Sequence, residues 1–138
     1  MIRIKTGGWI FLGACFLAIH RLYPLGKSAG LASVFVVSMI LHEFGHALAA
    51  RYYHASIHEI GLCLWGGYIQ YDKPANSLYH AVILTSGVMM NLVLAVPFWF
   101  IPDIGPLVSV WNLMLFVSNL LPFPWFDGGK LLRLCARQ

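Results

Sequence analysis

The sequence predicts an all-α polytopic membrane protein with about four transmembrane helices and a short membrane-associated β-hairpin. Of its 138 residues, 59% are hydrophobic and only 10% are charged, and the mean hydropathy is +0.74. A water-soluble chain of this size cannot bury so much apolar surface. The apolar residues also fall in runs long enough to cross a bilayer, where each helix satisfies its own backbone hydrogen bonds. We therefore expect one membrane-embedded domain over residues 1–138.

Four apolar segments account for the expected spans, and they cover residues 8–24, 29–53, 78–101 and 105–123. Aromatic residues stand near their ends, as is typical of side chains that anchor a helix at the membrane interface. These residues are Trp9, Tyr23, Tyr52, Tyr53, Tyr79, Trp99 and Trp125. Between the second and third spans, residues 57–72 carry the glycine pair Gly66 and Gly67 between two β-favouring stretches, which predicts the hairpin.

The basic residues predict how the spans are oriented. With four spans, both termini and the hairpin lie on one side of the membrane. That side carries Arg3, Lys5, Arg51, Lys73, Lys130, Arg133 and Arg137, whereas only Arg21 and Lys27 face the other way. The positive-inside rule therefore places both termini in the cytoplasm. Because the basic residues form neither a stripe nor a cluster, the net charge of +4 does not indicate a nucleic-acid partner.

The second span contains the pattern HExxH, as His42-Glu43-Phe44-Gly45-His46. Two histidines four residues apart project from the same face of a helix, so both imidazoles can reach one metal ion, with the glutamate beside them. Ionisable side chains in a membrane segment are costly unless they are paired or solvated. The pattern therefore predicts a functional metal site inside the protein.

A catalytic zinc site needs a third protein ligand and keeps one coordination position open. His54, His58 and Glu59 follow the motif but do not have the spacing of an extended HExxH helix motif. Asp127 is better placed, since it follows the fourth span and lies on the same side of the membrane as the motif. Pro122 and Pro124 break the helix before it and can turn the chain back toward the metal.

On these residues, the sequence resembles the site-2 proteases, which are intramembrane zinc metalloproteases. The resemblance rests on HEFGH at 42–46 and on NLLPFPWFDG at 119–128, which matches NxxPxxxxDG. SGVMMN at 86–91 is similar to the family's GPxxN motif but has Val88 where proline is usual. The resemblance implies a three-helix catalytic core, preceded here by one N-terminal helix, in a minimal member without PDZ or CBS domains.

The resemblance also implies the roles of individual residues. One zinc ion per chain is held by His42, His46 and Asp127, and Glu43 is the catalytic general base and acid. Asn91 and Asn119 contact the substrate or the developing oxyanion. For both asparagines, a purely structural hydrogen bond between helices is an equally good interpretation.

Substrate binding is expected at the hairpin. A peptide bond in a transmembrane helix must be unwound before attack, and an exposed strand edge can pair with the unwound segment. The backbone at Gly66, Gly67 and Tyr68 is the expected place for this pairing, because the glycines allow close approach. A surface loop that only links two spans is the alternative interpretation.

The function implied by the resemblance is hydrolysis of peptide bonds within or near transmembrane segments of membrane-anchored proteins. The partners are then a membrane-spanning protein substrate, the lipid bilayer and a separate regulatory membrane protein, in a prokaryotic cytoplasmic membrane. Three alternatives stay open: an inactive relative that binds membrane helices and regulates another protein, a metal transporter or sensor, and an HExxH protease with Glu59 as its third ligand.

Overall fold

The computed structural model describes residues 2–63 and 66–136, so Arg137 and the two residues between the expected hairpin strands lie outside the described residues. The described residues are mostly helical. In chain order, their elements are β1 (Ile2–Ile4), α1 (Thr6–His20), α2 (Leu25–Tyr52), β2 (Ile57–Cys63), β3 (Gly66–Tyr71), α3 (Ser77–Phe98), α4 (Gly105–Leu120) and α5 (Asp127–Cys135).

Two of the described helices, α2 and α3, are long and apolar enough to cross a membrane. At about 1.5 Å per residue, the 28 residues of α2 extend over roughly 42 Å and the 22 residues of α3 over roughly 33 Å. Helices α1 and α4 are also apolar but have only 15 and 16 residues. By length and apolar character, two helices thus qualify as membrane spans, whereas four spans were expected from the sequence.

Helix α3 packs against both α2 and α4, and its contact with α2 runs backbone to backbone. A Cβ atom added to Gly45 would lie 2.8 Å from the carbonyl oxygen of Ser86 and 3.1 Å from the Cα atom of Gly87. Small residues allow this close approach of helices in a membrane. The short distance between α2 and α3 brings the HExxH face of α2 directly against α3.

Buried polar side chains join the helices further from the motif. The amide of Asn112 on α4 donates to the hydroxyl oxygen of Ser38 on α2 at 3.0 Å. The hydroxyl of Ser109, also on α4, donates to the carbonyl oxygen of Ala95 on α3 at 2.7 Å. Such interhelical bonds contribute roughly 0.6–2 kcal/mol each in a membrane, and they hold α4 against the other two helices.

The sheet has three strands in the order β1-β2-β3, so the expectation of a hairpin alone was incomplete. Strands β2 and β3 pair antiparallel, as expected, and Leu62 is paired with Gly67. Strand β1 pairs parallel with β2, with Arg3 opposite Gly61. Its three residues were not predicted as a strand because they are too few for an alternating pattern to be distinguished from the start of α1. β1 occupies one edge of the sheet and β3 the other.

The segment after α4 contains a helix that the sequence analysis did not predict. Helix α4 ends at Leu120, and Leu121 is extended because Pro122 disfavours a helical residue before it. Helix α5 then begins at Asp127 and contains Gly128 and Gly129, a pair that normally weakens a helix. Both glycines are needed here, because a Cβ atom on either would overlap the backbone of the preceding segment.

Candidate metal centre

The HExxH residues lie in the last third of α2 and face the interior of the protein. His42, Glu43 and His46 are 4%, 8% and 3% exposed, whereas Phe44 between them is 51% exposed. Successive residues of an α-helix are about 100° apart, so His42, Glu43 and His46 share one side of α2, whereas Phe44, two positions from each histidine, points to the other side. The motif thus forms one buried polar face on an otherwise apolar helix.

Asp127 reaches the same place from the first turn of α5. Its Oδ2 atom lies 3.1 Å from Nε2 of His42 and 2.9 Å from Nε2 of His46, and these two nitrogen atoms are 3.1 Å apart. Asp127 is 5% exposed. Asp127 is 85 and 81 residues away from the two histidines in sequence. In the structure, the three side chains nevertheless form one buried cluster of potential metal ligands.

The three donor atoms have the chemistry and the spacing of a zinc site. Two imidazole nitrogens and one carboxylate oxygen are ligands that zinc accepts, and the ligand atoms of a tetrahedral site lie about 3.3 Å apart. The observed separations are close to that value. A fourth coordination position is left to a non-protein ligand, as in catalytic zinc sites.

Hydrogen bonds from outside the cluster orient both imidazoles. Nδ1 of His46 lies 2.7 Å from the carbonyl oxygen of Ile83 on α3 and donates to it, which leaves Nε2 free of hydrogen. Nδ1 of His42 lies 3.0 Å from the amide nitrogen of Asn91, while the amide oxygen of Asn91 is buried without a partner. Turning the amide by 180° makes that oxygen an acceptor for Nδ1–H of His42. Both Nε2 atoms are then lone-pair donors, as a metal requires.

Lys130 is a functional candidate that the sequence analysis missed. Its ammonium group lies 2.9 Å from Oδ1 of Asp127, while Oδ2 of the same carboxylate faces the histidines. Burial alone would raise the pKa of Asp127, but the two histidine contacts and the charge of Lys130 hold it well below its usual range. The signal in the sequence was a lysine three residues after the ligand on a helix, which places the two side chains on one face.

The other ligand candidates lie elsewhere. Glu59 accepts a hydrogen bond from the hydroxyl of Tyr68 and lies 3.9 Å from the guanidinium of Arg3. His58 pairs with Asp72 at 2.8 Å, and His54 follows the end of α2 with a positive φ of 56°. The alternative site with Glu59 as third ligand therefore lacks support in the fold.

The remaining predicted residues lie at different distances from the cluster. Asn91 is fully buried and faces His42. Asn119 donates its amide hydrogen to the carbonyl oxygen of Leu115 and lines a cavity beside Glu43. Gly67 is so close to Glu43 that a Cβ atom would overlap the carboxylate, and Gly66 lines the same cavity. Tyr68 instead contacts Glu59 and lies under the ammonium group of Lys5 at 4.4 Å.

Two cavities meet at the cluster, and Glu43, Asp127 and Lys130 line both of them. The first, which we call the vestibule, has a volume of about 670 Å³ and lies between β3, α3 and α5. The second, which we call the apolar cavity, has a volume of about 310 Å³ and lies between α1, α2 and α4. Its walls are mainly aromatic rings and methionines: Phe11, Phe35, Met39, Trp111, Met114, Trp125 and Phe126.

The fold and the cluster define a class of protein: a mostly helical protein with two helices long and apolar enough to cross a membrane and a buried HExxH motif whose histidines group with an aspartate. The model of Peptidase family M50 matches residues 30–105, which is more than half of the chain. The chain belongs to this family. The candidate metal ligands on α2 lie within the matched residues, and Asp127 lies beyond them.

Individual relatives agree with this assignment. A zinc metalloprotease of Methanocaldococcus jannaschii is 37% identical over 106 residues, which cover 70% of this chain and 31% of the relative. Stage IV sporulation protein FB of Bacillus subtilis is 27% identical over 105 residues, which cover 70% of this chain and 36% of the relative. The solved structure of the site-2 protease from Methanocaldococcus jannaschii superposes with a TM-score of 0.84 at 25% identity.

These matches cover a larger share of this chain than of the relatives. The superposition covers 98% of this chain and 66% of the solved chain. The chain spans about a third of the length of the curated relatives it matches. The expected resemblance to the site-2 proteases is confirmed, and zinc is the metal of the relatives named as metalloproteases.

The contact between Asn91 and His42 yields a first prediction. Asn91→Ala should lower the affinity for zinc by roughly 10–100-fold, because an imidazole ligand without its hydrogen-bond partner loses its orientation. Affinity is measured by competition with a chromophoric chelator. Asn112→Ala is the matched control, since Asn112 is equally buried but contacts Ser38 and Val108. Equal zinc affinities in the two variants would contradict the orienting role of Asn91.

Proposed function

We propose that this chain is an intramembrane zinc metalloprotease that hydrolyses peptide bonds within or near transmembrane segments of membrane-anchored proteins. The observation that carries the proposal is the buried cluster of His42, His46 and Asp127 with Glu43 beside it, at the meeting point of two cavities. Membership of Peptidase family M50 supports the same reaction.

His42, His46 and Asp127 are the proposed zinc ligands, one ion per chain. When bound, zinc activates a water molecule and polarises the scissile carbonyl group. Glu43 takes a proton from the attacking water, whose oxygen bonds to the carbonyl carbon, and delivers the proton to the leaving amine nitrogen as the C–N bond breaks. The products are a carboxylate and an amine. Glu43 suits this task because it lines both cavities, so a substrate that extends from one cavity to the other would pass its carboxylate.

The edge strand β3 is the proposed docking site for the unwound substrate. In the described part of the chain, β3 pairs on one side only, and its first residues, Gly66 and Gly67, lie against Glu43 and the apolar cavity. A substrate strand added at this edge would therefore pass the catalytic carboxylate. Asn119 lines the same cavity, whereas Asn91 does not. Asn119 is therefore the proposed contact to the developing oxyanion.

We further propose that α1 and α4 cross the membrane together with α2 and α3, as a single membrane domain. Large apolar side chains are exposed on all four helices, for example Trp9 and Leu17 on α1 and Met114 and Val117 on α4, at 55–63%. Such surfaces fit lipid contact. Both helices are shorter than the roughly 20 residues of a typical span, but apolar residues continue beyond their ends, including exposed Leu22, Leu121 and Phe123. The charge distribution then favours cytoplasmic termini.

Cysteine labelling in intact cells tests this arrangement. In a background with Cys15→Ser and Cys63→Ser, a membrane-impermeant maleimide should label Leu22→Cys and Asp103→Cys from outside. It should label Lys5→Cys and the native Cys135, which is exposed, only after permeabilisation. Labelling of Asp103→Cys and Cys135 from the same side would mean that α4 does not cross the membrane.

The catalytic proposal is tested by removing the base but keeping the ligands. Glu43→Gln should retain zinc at the wild-type stoichiometry yet lose nearly all cleavage of single-span peptides in proteoliposomes. A general base is typically worth about 10²–10⁴-fold in rate. Cleavage is followed by mass spectrometry on a panel of peptides, and zinc by atomic emission. Asp103→Asn is the control, since it makes the same acid-to-amide change at an exposed residue that lines neither of the two cavities.

Two outcomes would contradict the proposal. Wild-type cleavage by Glu43→Gln would exclude Glu43 as the base. A zinc-loaded wild type that cuts no peptide of a broad panel would favour the inactive relative that binds membrane helices.

In the same assay, N-methylation of backbone amides at the cleaved segment should slow cleavage if the substrate pairs with β3, because it removes the pairing donors.

A further inference from the structure

The vestibule differs from the apolar cavity in the charge of its walls. Its lining carries the cationic side chains of Lys73, Lys130 and Arg133, together with the imidazoles of His58 and His80. These residues come from different elements, since His58 lies in β2, Lys73 follows β3, His80 lies in α3, and Lys130 and Arg133 lie in α5. The fold therefore gathers basic groups from separate parts of the chain around one opening beside the metal centre.

Two carboxylates stand against these basic groups within the described lining, and His58 is paired with Asp72. The carboxylates of the lining are Glu43 and Asp127, which both belong to the metal centre, and Asp127 is already paired with Lys130 and the two histidines. Burial and the charge of Asp127 raise the pKa of the lining Tyr71 to about 12, so its hydroxyl stays protonated near neutral pH. With three cationic side chains, Lys73, Lys130 and Arg133, against these two carboxylates, the formal charge of the described lining is positive.

Lys73 is the lysine of this group that is available to a ligand. Lys130 is bound to Asp127, and the guanidinium of Arg133 donates to the carbonyl oxygens of Gly129 and Pro124. Lys73 is exposed and makes no salt bridge to any residue in the described ranges. It lines the same cavity as His80 on α3, and the charge of Lys73 acts on that imidazole.

We propose that the vestibule binds acidic residues that flank the scissile part of a substrate, and that it rejects basic ones. The proposal rests on the proposed function and names its substrate class. The apolar cavity suits the apolar part of a membrane segment, which leaves the polar flank to the vestibule on the other side of Glu43. Cytoplasmic flanks of most membrane spans carry Lys and Arg. Like charges would therefore exclude ordinary membrane proteins, whereas a flank with Asp or Glu would be attracted.

The test uses two peptidyl hydroxamates that share the zinc-binding hydroxamate and a leucine and differ only in a terminal Asp-Asp or Lys-Lys pair. Their dissociation constants are measured by calorimetry on the zinc-loaded full chain in neutral detergent. The Asp-Asp compound should bind about tenfold more tightly at low ionic strength, and the ratio should shrink in high salt. Lys73→Glu should abolish or invert the preference, whereas Lys27→Glu, the same charge change in the first turn of α2, should leave it unchanged.

Acetohydroxamic acid, which lacks both peptide arms, separates failure of this inference from failure of the proposed function. If it binds the wild type and Lys73→Glu equally while the two peptidyl compounds show no preference, the vestibule proposal is wrong and the metal centre stands. If neither it nor either peptidyl compound binds the zinc-loaded chain, the metal is not open to ligands, and the proposed function and the vestibule proposal fail together. Loss of the preference in nanodiscs of phosphatidylglycerol, but not of phosphatidylcholine, would show that lipid headgroups occupy the vestibule and would overturn its assignment to the substrate.

Discussion

The contact of Asp127 with His42 and His46 is the interaction on which the rest of this structure depends. Each of the three side chains is polar or charged, and each is at least 95% buried. An uncompensated charge in such a place costs several kcal/mol, so the carboxylate of Asp127 cannot stay buried and charged without the histidines, Lys130 or a metal. The contact joins α2 to α5 over more than 80 residues of sequence. It therefore sets where the end of the chain must pack.

The surrounding contacts serve to bring these groups together and hold them. Gly45 and Gly87 let α2 and α3 approach closely enough for the carbonyl group of Ile83 to reach His46. Gly128 and Gly129 let α5 fold back onto the segment after α4, so that Asp127 turns inward. Close packing at glycines thus has a direct chemical consequence, since a methyl group on Gly87 would overlap the ring of His46.

The sequence predicted which side chains come together at the candidate metal centre better than it predicted the elements around them. His42, Glu43 and His46 follow from helical spacing, and Asp127 follows from its position after the fourth apolar segment and from the family motif. Strand β1 was missed because three residues carry too little pattern, and α5 because its glycines indicate a turn unless the contacting backbone is known. The pairing of Lys130 with Asp127 was missed because it is a contact between residues three apart within α5, which was not predicted as a helix. The orientation of Asn91 toward His42 was missed because it depends on tertiary packing, which apolar periodicity does not encode.

The number of zinc ions per chain tests the central claim that Asp127 completes the metal centre. Zinc is measured on detergent-purified protein for the wild type, Asp127→Ala and Asp72→Ala, with protein concentration from amino-acid analysis. Asp72 is a suitable control because it pairs with His58 on the exposed surface. We expect about one zinc per chain in the wild type and in Asp72→Ala, and nearly none in Asp127→Ala. Full zinc occupancy in Asp127→Ala, at wild-type affinity, would contradict the claim.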